Sequence, residues 1–327
     1  MTVIIPVAGR GIRLRPISFN TPKALIPCGG RTVLGWIFKS ISELSPDRII
    51  LVVGYKDELI KEWVKNNYKK LPIEWVTQEE PKGLAHAIWK VGKLIPFEED
   101  VLIYLGDSIF DFDWKGIKKE EENFVGVKEV EDPRRFGIVE VEGDFIVNLE
   151  EKPETPSSSL AVAGIYYIKK WELLYKYLNI VIEKSMKTKG EYQLTDALKL
   201  MITKGKIKIK KFPVKKWYDC GSIPGLLQTN MEILKDYPSW FENEERIENF
   251  SYISPSSLVK DSIIGPFVTL GENSVIERST VKNSIIGNRV RISNSDIFDS
   301  IIGDDTVIVN IKGKIISSSN SIIAGKE

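Results

Sequence analysis

One short phrase, repeated, constrains this chain more than anything else in it. Ser-Ile-Ile-Gly occurs at 262–265, 284–287 and 300–303, and Ser-Ile-Ile-Ala-Gly at 321–325. Between these copies lie Val268-Thr-Leu-Gly271, Asn273-Ser-Val-Ile276 and Asn288-Arg-Val-Arg-Ile292. From about Ser251 onward helical spacing stops, and Gly, Asn and Ser separate short aliphatic runs. Self-similarity of this kind predicts stacked β-coils, the hexapeptide β-helix, with one aliphatic residue on each short face of a triangular coil. Sandwich strands would be longer and less regular.

The preceding residues carry a different pattern. Apolar runs at 2–7, 48–53, 73–76, 101–105, 124–128, 137–141, 162–168 and 207–212 predict strands. Segments 33–44, 57–68, 83–93, 170–185 and 193–203 have helical spacing. Strand and helix alternate through the first hundred residues, which predicts a mostly parallel sheet covered by helices. Ligands in such sheets sit outside the carboxyl ends of the strands. The expected organisation is therefore a catalytic domain at 1–237, a linker at 238–250 and a β-helix at 251–327.

Lys plus Arg (46) nearly equals Asp plus Glu (45), which argues against an electrostatic nucleic-acid binder. Two cysteines, Cys28 and Cys220, form no Cys-x-x-Cys, so neither a disulfide scaffold nor a structural zinc site is expected. No apolar run approaches the roughly 20 residues of a membrane span, and no signal-peptide core opens the chain. A soluble cytoplasmic protein is expected. His86 is the sole histidine, so the chemistry is expected to rest on carboxylates, lysines, arginines and a metal.

Residues 4–27, IIPVAGRGIRLRPISFNTPKALIP, read as a phosphate cradle. An apolar strand runs into a loop with Ala8, Gly9 and Gly11, and two cations follow at Arg13 and Lys23. Glycine lets backbone N–H groups approach a phosphate, and the cations neutralise it. A dinucleotide fingerprint would need a third glycine where Leu14 stands, and no P-loop run is present. Asp107, in Gly-Asp directly after strand 101–105, is placed as a metal ligand or as a turn cap. Asp219, in Tyr-Asp-Cys-Gly-Ser, is open to the same two readings, ligand or Asx turn. In Thr77-Gln78-Glu-Glu-Pro-Lys-Gly83-Leu-Ala-His86, the Gln78 amide can donate and accept at once and so read the imide edge of a pyrimidine. Gly83 would let the base lie against backbone. His86 is a packing residue on a helix face or part of that pocket.

Taken in order, these motifs resemble those of the sugar-1-phosphate nucleotidyltransferases, the NDP-sugar pyrophosphorylases. The family's Gly-x-Gly-Thr-Arg-Leu-x-Pro and Pro-Lys-x-Leu are matched at 9–27, with Ile12 in place of the usual Thr. Gln78 to Gly83, Gly106-Asp107, Phe136-Gly137, Glu150-Glu151-Lys152-Pro153, Val162-Ala-Gly164, Gly190-Glu-Tyr-Gln-Leu-Thr195-Asp196 and Tyr218-Asp219-Cys-Gly-Ser222 follow in family order. The resemblance covers nearly all of residues 1–235. It implies a Rossmann-like mixed, mostly parallel sheet, the nucleotide-diphospho-sugar transferase fold, followed by a left-handed hexapeptide-repeat β-helix. It implies that Asp107 and Asp219 hold Mg²⁺. Arg13 and Lys23 would bind the β and γ phosphates, and Lys152 the sugar phosphate. Glu151 would accept from sugar hydroxyls, with backbone contacts from Gly137 and Val162.

The resulting expectation is transfer of a nucleotidyl group from a nucleoside triphosphate, UTP or dTTP, to glucose-1-phosphate, with release of pyrophosphate. Mannose-1-phosphate guanylyl transfer and glucose-1-phosphate adenylyl transfer are the alternatives, and a non-catalytic nucleotide sensor is one of another class. Acyl transfer on the β-helix is disfavoured, because 251–327 has no histidine. The end coil and its strand edges need covering, which predicts a homo-oligomer.

Overall fold

Val3, Ile4 and Ile5 are three consecutive aliphatic residues with no polar position among them to turn one face toward water, and all three are fully buried in the first strand. The computed structural model describes residues 1–111, 114–117, 120–236 and 246–325. They group into two compact units, one of Met1–Gly9 with Ile37–Trp217, the other of Arg10–Trp36 with Tyr218 onward.

The first unit is a mixed sheet with strands in the order Ile73–Thr77, Arg48–Val53, Thr2–Pro6, Val101–Tyr104, Leu160–Ile168, Asn123–Glu129, Ile209–Pro213, Phe145–Glu151, Gly137–Glu142. The first four are parallel, as the alternation predicts. From Val101–Tyr104 onward the pairings turn antiparallel, except where Ile209–Pro213 runs parallel to Asn123–Glu129. Helices Leu84–Trp89, Trp171–Glu183 and Leu194–Thr203 supply buried faces to one core with the sheet. Phe145–Glu151, absent from the sequence-based strands, is a strand whose Ile146 and Leu149 both bury, three residues apart, because a register shift after Ile146 breaks the simple alternation.

The second unit holds the helix Ile223–Asp236 and a three-sided stack of short strands. The side containing Leu258–Lys260, Val275–Glu277, Arg291–Ser293, Val307–Val309 and Ile322–Ala324 is parallel throughout, and the other two sides share its register. One coil takes 17 residues at Leu258↔Val275, 16 at Val275↔Arg291 and Arg291↔Val307, and 15 at Val307↔Ile322, fewer than three full hexads. Like residues therefore stack: Ile276, Ile292 and Ile308 on one side, Leu270, Ile286 and Ile302 on another. Serines hold the corners. Ser279 Oγ donates to the Glu277 carbonyl and accepts from Ser295 N–H in the next coil, at 2.7 and 3.0 Å. Ser284, Ser295 and Ser300 repeat the arrangement. Corner N–H groups that lose their ladder partner are buried, so each needs such an acceptor.

Most of the expected linker, 238–245, lies outside the described residues; Arg246–Glu248 is a strand antiparallel to Ser251–Ile253.

Candidate active site

In the first unit, four parallel strands deliver their carboxyl ends to one edge. Gly54, just past Arg48–Val53, is closed in by its neighbours: a Cβ there would lie 2.8 Å from the Gln78 carbonyl and 3.0 Å from Ala8 Cβ. Gly106 sits against the end of the first strand, where a Cβ would meet Val7 and the Pro6 carbonyl at 2.4 and 2.7 Å. The Leu105 N–H donates to Gly164 O at 2.9 Å, across a register break in Leu160–Ile168. That bulge seats the turn carrying Asp107. Ala8 and Asp107 thus follow the ends of adjacent strands, as the sequence predicts, and Gln78 follows the end of Ile73–Thr77, one strand further along the same parallel set.

Gln78 is buried, and its amide is pinned from one side. Its Nε2 donates to the Gly83 carbonyl at 3.1 Å and lies 3.0 Å from His86 Nδ1. The sequence leaves the amide able to donate and accept; in the structure both N–H groups are engaged. Gly83 has φ of 111° and opens helix Leu84–Trp89, and a Cβ there would strike the Tyr192 backbone at 2.5 Å. Tyr192 N–H donates to Lys82 O and Tyr192 O accepts from Ala85 N–H, so the Gly190–Gln193 segment straps the base-pocket motif. His86 stacks between Trp89 and Tyr192 with centroids 5.9 and 6.3 Å away. It therefore packs and hydrogen-bonds at once. Burial, then Lys82 and Lys90, push its pKa below the usual imidazole value.

A second cluster gathers Gly137, Glu151, Lys152 and Val162, the residues expected from the sequence at the sugar phosphate. A Cβ on Gly137 would meet Thr195 Cγ2 at 2.9 Å, Glu151 Oε2 at 3.1 Å and Val162 Cγ2 at 3.6 Å. Thr195 donates its hydroxyl to Glu151 Oε2 at 3.1 Å, and Lys152 Nζ is 3.5 Å from Glu151 Oε1. Lys152 has φ of 44°, held by its N–H donating to Phe136 O at 3.0 Å. The left-handed backbone there sets the direction in which the Lys152 side chain leaves the strand end. Tyr166 is pushed far above the usual phenol range by burial, then by the charges of Glu151 and Asp107, which both bear on it. Thr195 and Tyr192 lie in a motif the sequence analysis quotes, but neither is singled out there; their offset from Glu151 and Gly83 gives no local signal.

In the second unit, Arg13, Lys23 and Asp219 converge on Gly221. A Cβ there would lie 2.7 Å from Asp219 Oδ1, 3.0 Å from Arg13 Nη2 and 3.6 Å from Lys23 Nζ. Gly221 N–H donates to Asp219 Oδ1 at 2.8 Å, which leaves Oδ2 directed elsewhere. Asp219 is thus both turn former and neighbour of the two cations. Gly11, with φ of 61°, turns the chain, and its carbonyl accepts from Ser18 Oγ at 2.7 Å. Ile12, where the motif usually has Thr, is 63% exposed, and the structure does not explain the exchange. Cys28 and Cys220 are buried thiols, and burial pushes the Cys28 thiol well up, so Cys28 is not poised as a nucleophile.

Two carboxylates are hard oxygen donors of the kind Mg²⁺ takes. Among the described residues no cluster of three or more His, Cys, Asp and Glu forms an all-protein cage. Mg²⁺ retains waters and binds through one or two carboxylates plus substrate phosphates, and Asp107 in the first unit and Asp219 in the second are each a carboxylate of that chemistry.

A family model described as nucleotidyl transferase matches residues 2–236. The bifunctional protein GlmU of Methanocaldococcus jannaschii is 32% identical over 97% of this chain and 85% of its own length. The UTP–glucose-1-phosphate uridylyltransferase AglF of Haloferax volcanii is 32% identical over 63% of this chain and 85% of its own. A glucose-1-phosphate thymidylyltransferase of Streptomyces antibioticus is 28% identical over 88% of this chain and 87% of its own. A UDP-glucose pyrophosphorylase crystallised with UDP-glucose shares the fold, with TM-score 0.60 and 24% identity over 70% of this chain and 96% of that one.

Proposed function

The chain belongs to the nucleotidyl transferase family, and we propose that it transfers a uridylyl or thymidylyl group from UTP or dTTP to glucose-1-phosphate, releasing pyrophosphate. The observation that carries the reading is the meeting of Arg13, Lys23 and Asp219 around Gly221, two phosphate-binding cations beside a carboxylate. The named activities of the uridylyl- and thymidylyltransferase relatives support the choice of sugar and base.

Both substrates are anions, so catalysis is mainly charge neutralisation and in-line placement, with no protein nucleophile. Arg13 and Lys23 bind the β and γ phosphates and stabilise the departing pyrophosphate. Lys152 holds the sugar phosphate that attacks the α-phosphorus, and its strained backbone fixes where the ammonium can reach. Glu151, oriented by Thr195, accepts from sugar hydroxyls, while Gly137 and Val162 supply a close wall. Asp107 and Asp219 would hold Mg²⁺, which supplies charge neutralisation of the triphosphate when bound. Ala8, Gly9 and Gly11 offer backbone to the phosphates, and Gln78 with Gly83 receives the base.

We further assign the coil stack a role in self-association, supported by Leu258, Ile263 and Ile322, which are 55, 62 and 82% exposed. Among the described residues no helix is long and apolar enough to cross a membrane; a cytoplasmic location is part of this proposal. The test is pyrophosphate release with UTP, dTTP, ATP, GTP and CTP crossed with glucose-, mannose-, galactose- and N-acetylglucosamine-1-phosphate. The expected best pair is a uracil or thymine triphosphate with glucose-1-phosphate; preference for a purine triphosphate or another sugar would overturn it.

A further inference from the structure

We infer that His86 is a positioning residue that fixes the Gln78 amide with its carbonyl oxygen toward the base, so that the site selects bases offering an imide N–H. The inference rests on the proposed placement of the base at Gln78. It adds what selects that base and what disturbs the selection.

The Gly83 carbonyl can only accept, so the end of the Gln78 amide that meets it must be the NH₂. That same nitrogen lies 3.0 Å from His86 Nδ1. Nδ1 must then carry a lone pair, which makes His86 the neutral Nε2–H tautomer. Both Gln78 N–H groups are thereby committed, and Oε1 is the one hydrogen-bonding atom of the amide left over. Among the described residues nothing donates to it, and it is not one of the buried polar atoms cut off without a partner. A lone-pair acceptor matches the N3–H of uracil or thymine. It faces a lone pair on N3 of cytosine or N1 of adenine. Guanine N1–H is compatible in polarity but belongs to a larger ring.

Protonation of His86 would put an N–H against the Gln78 NH₂, two donors facing each other. The groups around His86 decide when this happens. Lys82 and Lys90 oppose the charged form, Glu79 and Glu80 favour it, and burial opposes it most. Tyr192, stacked on the other face of the imidazole, is itself covered by the Lys187 ammonium at 5.2 Å from its ring centre. Glu79 is engaged by Lys90 and Glu80 by Lys82, both in ion pairs. The imidazole is thus held neutral at pH 7, and the amide turns only in acid.

The chain has one histidine, so a ¹⁵N-imidazole NMR spectrum of the intact protein reports this ring alone. The Nε2–H tautomer is expected at neutral pH; an Nδ1–H tautomer would overturn the inference whatever triphosphate the enzyme prefers. In kinetics, His86→Phe keeps the stacking and removes the acceptor. It should raise KM for UTP about tenfold with kcat altered less than about threefold, and should narrow UTP-over-CTP discrimination. His86→Asn can present an acceptor near the Nδ1 position without titrating. It should restore UTP KM to within about threefold and flatten the rise in KM expected of the wild type as acid protonates the imidazole. An unchanged UTP KM in His86→Phe, or a wild-type KM that stays flat while the ¹⁵N spectrum shows the imidazole becoming protonated, would sink the inference. Should the wild type use neither UTP nor dTTP, the substrate proposal fails. The tautomer, and the effect of His86→Phe on the preferred base, still decide the role of His86.

Discussion

In the coils, left-handed backbone recurs in columns. Asn273, Arg289, Asp305 and Asn320 have φ of 54, 55, 57 and 60°, and Arg278, Asn294 and Asn310 follow at 45, 48 and 56°. In the α/β unit left-handed residues are scattered out of register instead, and five of them are lysines: Lys56, Lys152, Lys170, Lys189 and Lys206, with φ of 54, 44, 61, 53 and 54°. The coil positions are corners, and Asn or Asp fills many of them because a short polar side chain tolerates αL. Lys152 differs from the other four in directly following Glu151, whose carboxylate accepts from Thr195. Left-handed backbone that recurs in register serves the coil, whereas at Lys152 the neighbouring groups, and not φ alone, point to chemistry.

That contrast can be broken by substitution. The largest effect belongs to the carboxylates: Asp219→Asn and Asp107→Asn should each lower turnover by about 10³-fold with circular dichroism unchanged. Near-normal turnover in either would remove it from the reaction. Lys152→Gly should relieve backbone strain and leave the melting temperature equal or higher, yet lower kcat about 10²-fold, read by the pyrophosphate assay. A variant that stays active would make Lys152 one more turn residue.

A smaller effect is expected where the coil meets the phosphate-binding segment inside the second unit. Gly29 N–H donates to Asn230 Oδ1, Gly30 N–H to Thr269 Oγ1, and Thr269 in turn to Asn230, at 2.8, 3.2 and 2.6 Å. Thr269→Val should cost about 1–2 kcal/mol in denaturant unfolding and slow turnover a few-fold, because the segment bearing Lys23 loses a fixed point. Ser279→Ala removes the acceptor for Ser295 N–H and should cost about 1 kcal/mol while leaving turnover unchanged. If Ser279→Ala slowed turnover as much as Thr269→Val, the coil could not be divided into supporting and merely repeating residues.

Much of the site was legible in the sequence because glycines and charges follow strand ends, and parallel strands bring their carboxyl ends to one edge. Gly106-Asp107 and Gln78 are cases where a local motif and a topological rule agree. Phe145–Glu151 was harder to read, since Asn148 and the two glutamates interrupt its apolar alternation. The coil length of 15–17 residues was also hidden. The repeat specifies which residues point inward, but the number spent at each corner depends on how the next coil closes.

The sequence by itself determined the two kinds of architecture, the order of the motifs and the residue types each phosphate or metal would need, because periodicity and glycine act over a few residues. Only the tertiary structure decided that residues 10–36 group with the C-terminal unit. The same holds for Thr195 orienting Glu151 and for His86 depriving Gln78 of its donor capacity. These are contacts between segments distant in the chain or between two side chains on different elements. They depend on angles and distances to a few tenths of an ångström, and no spacing of letters encodes them.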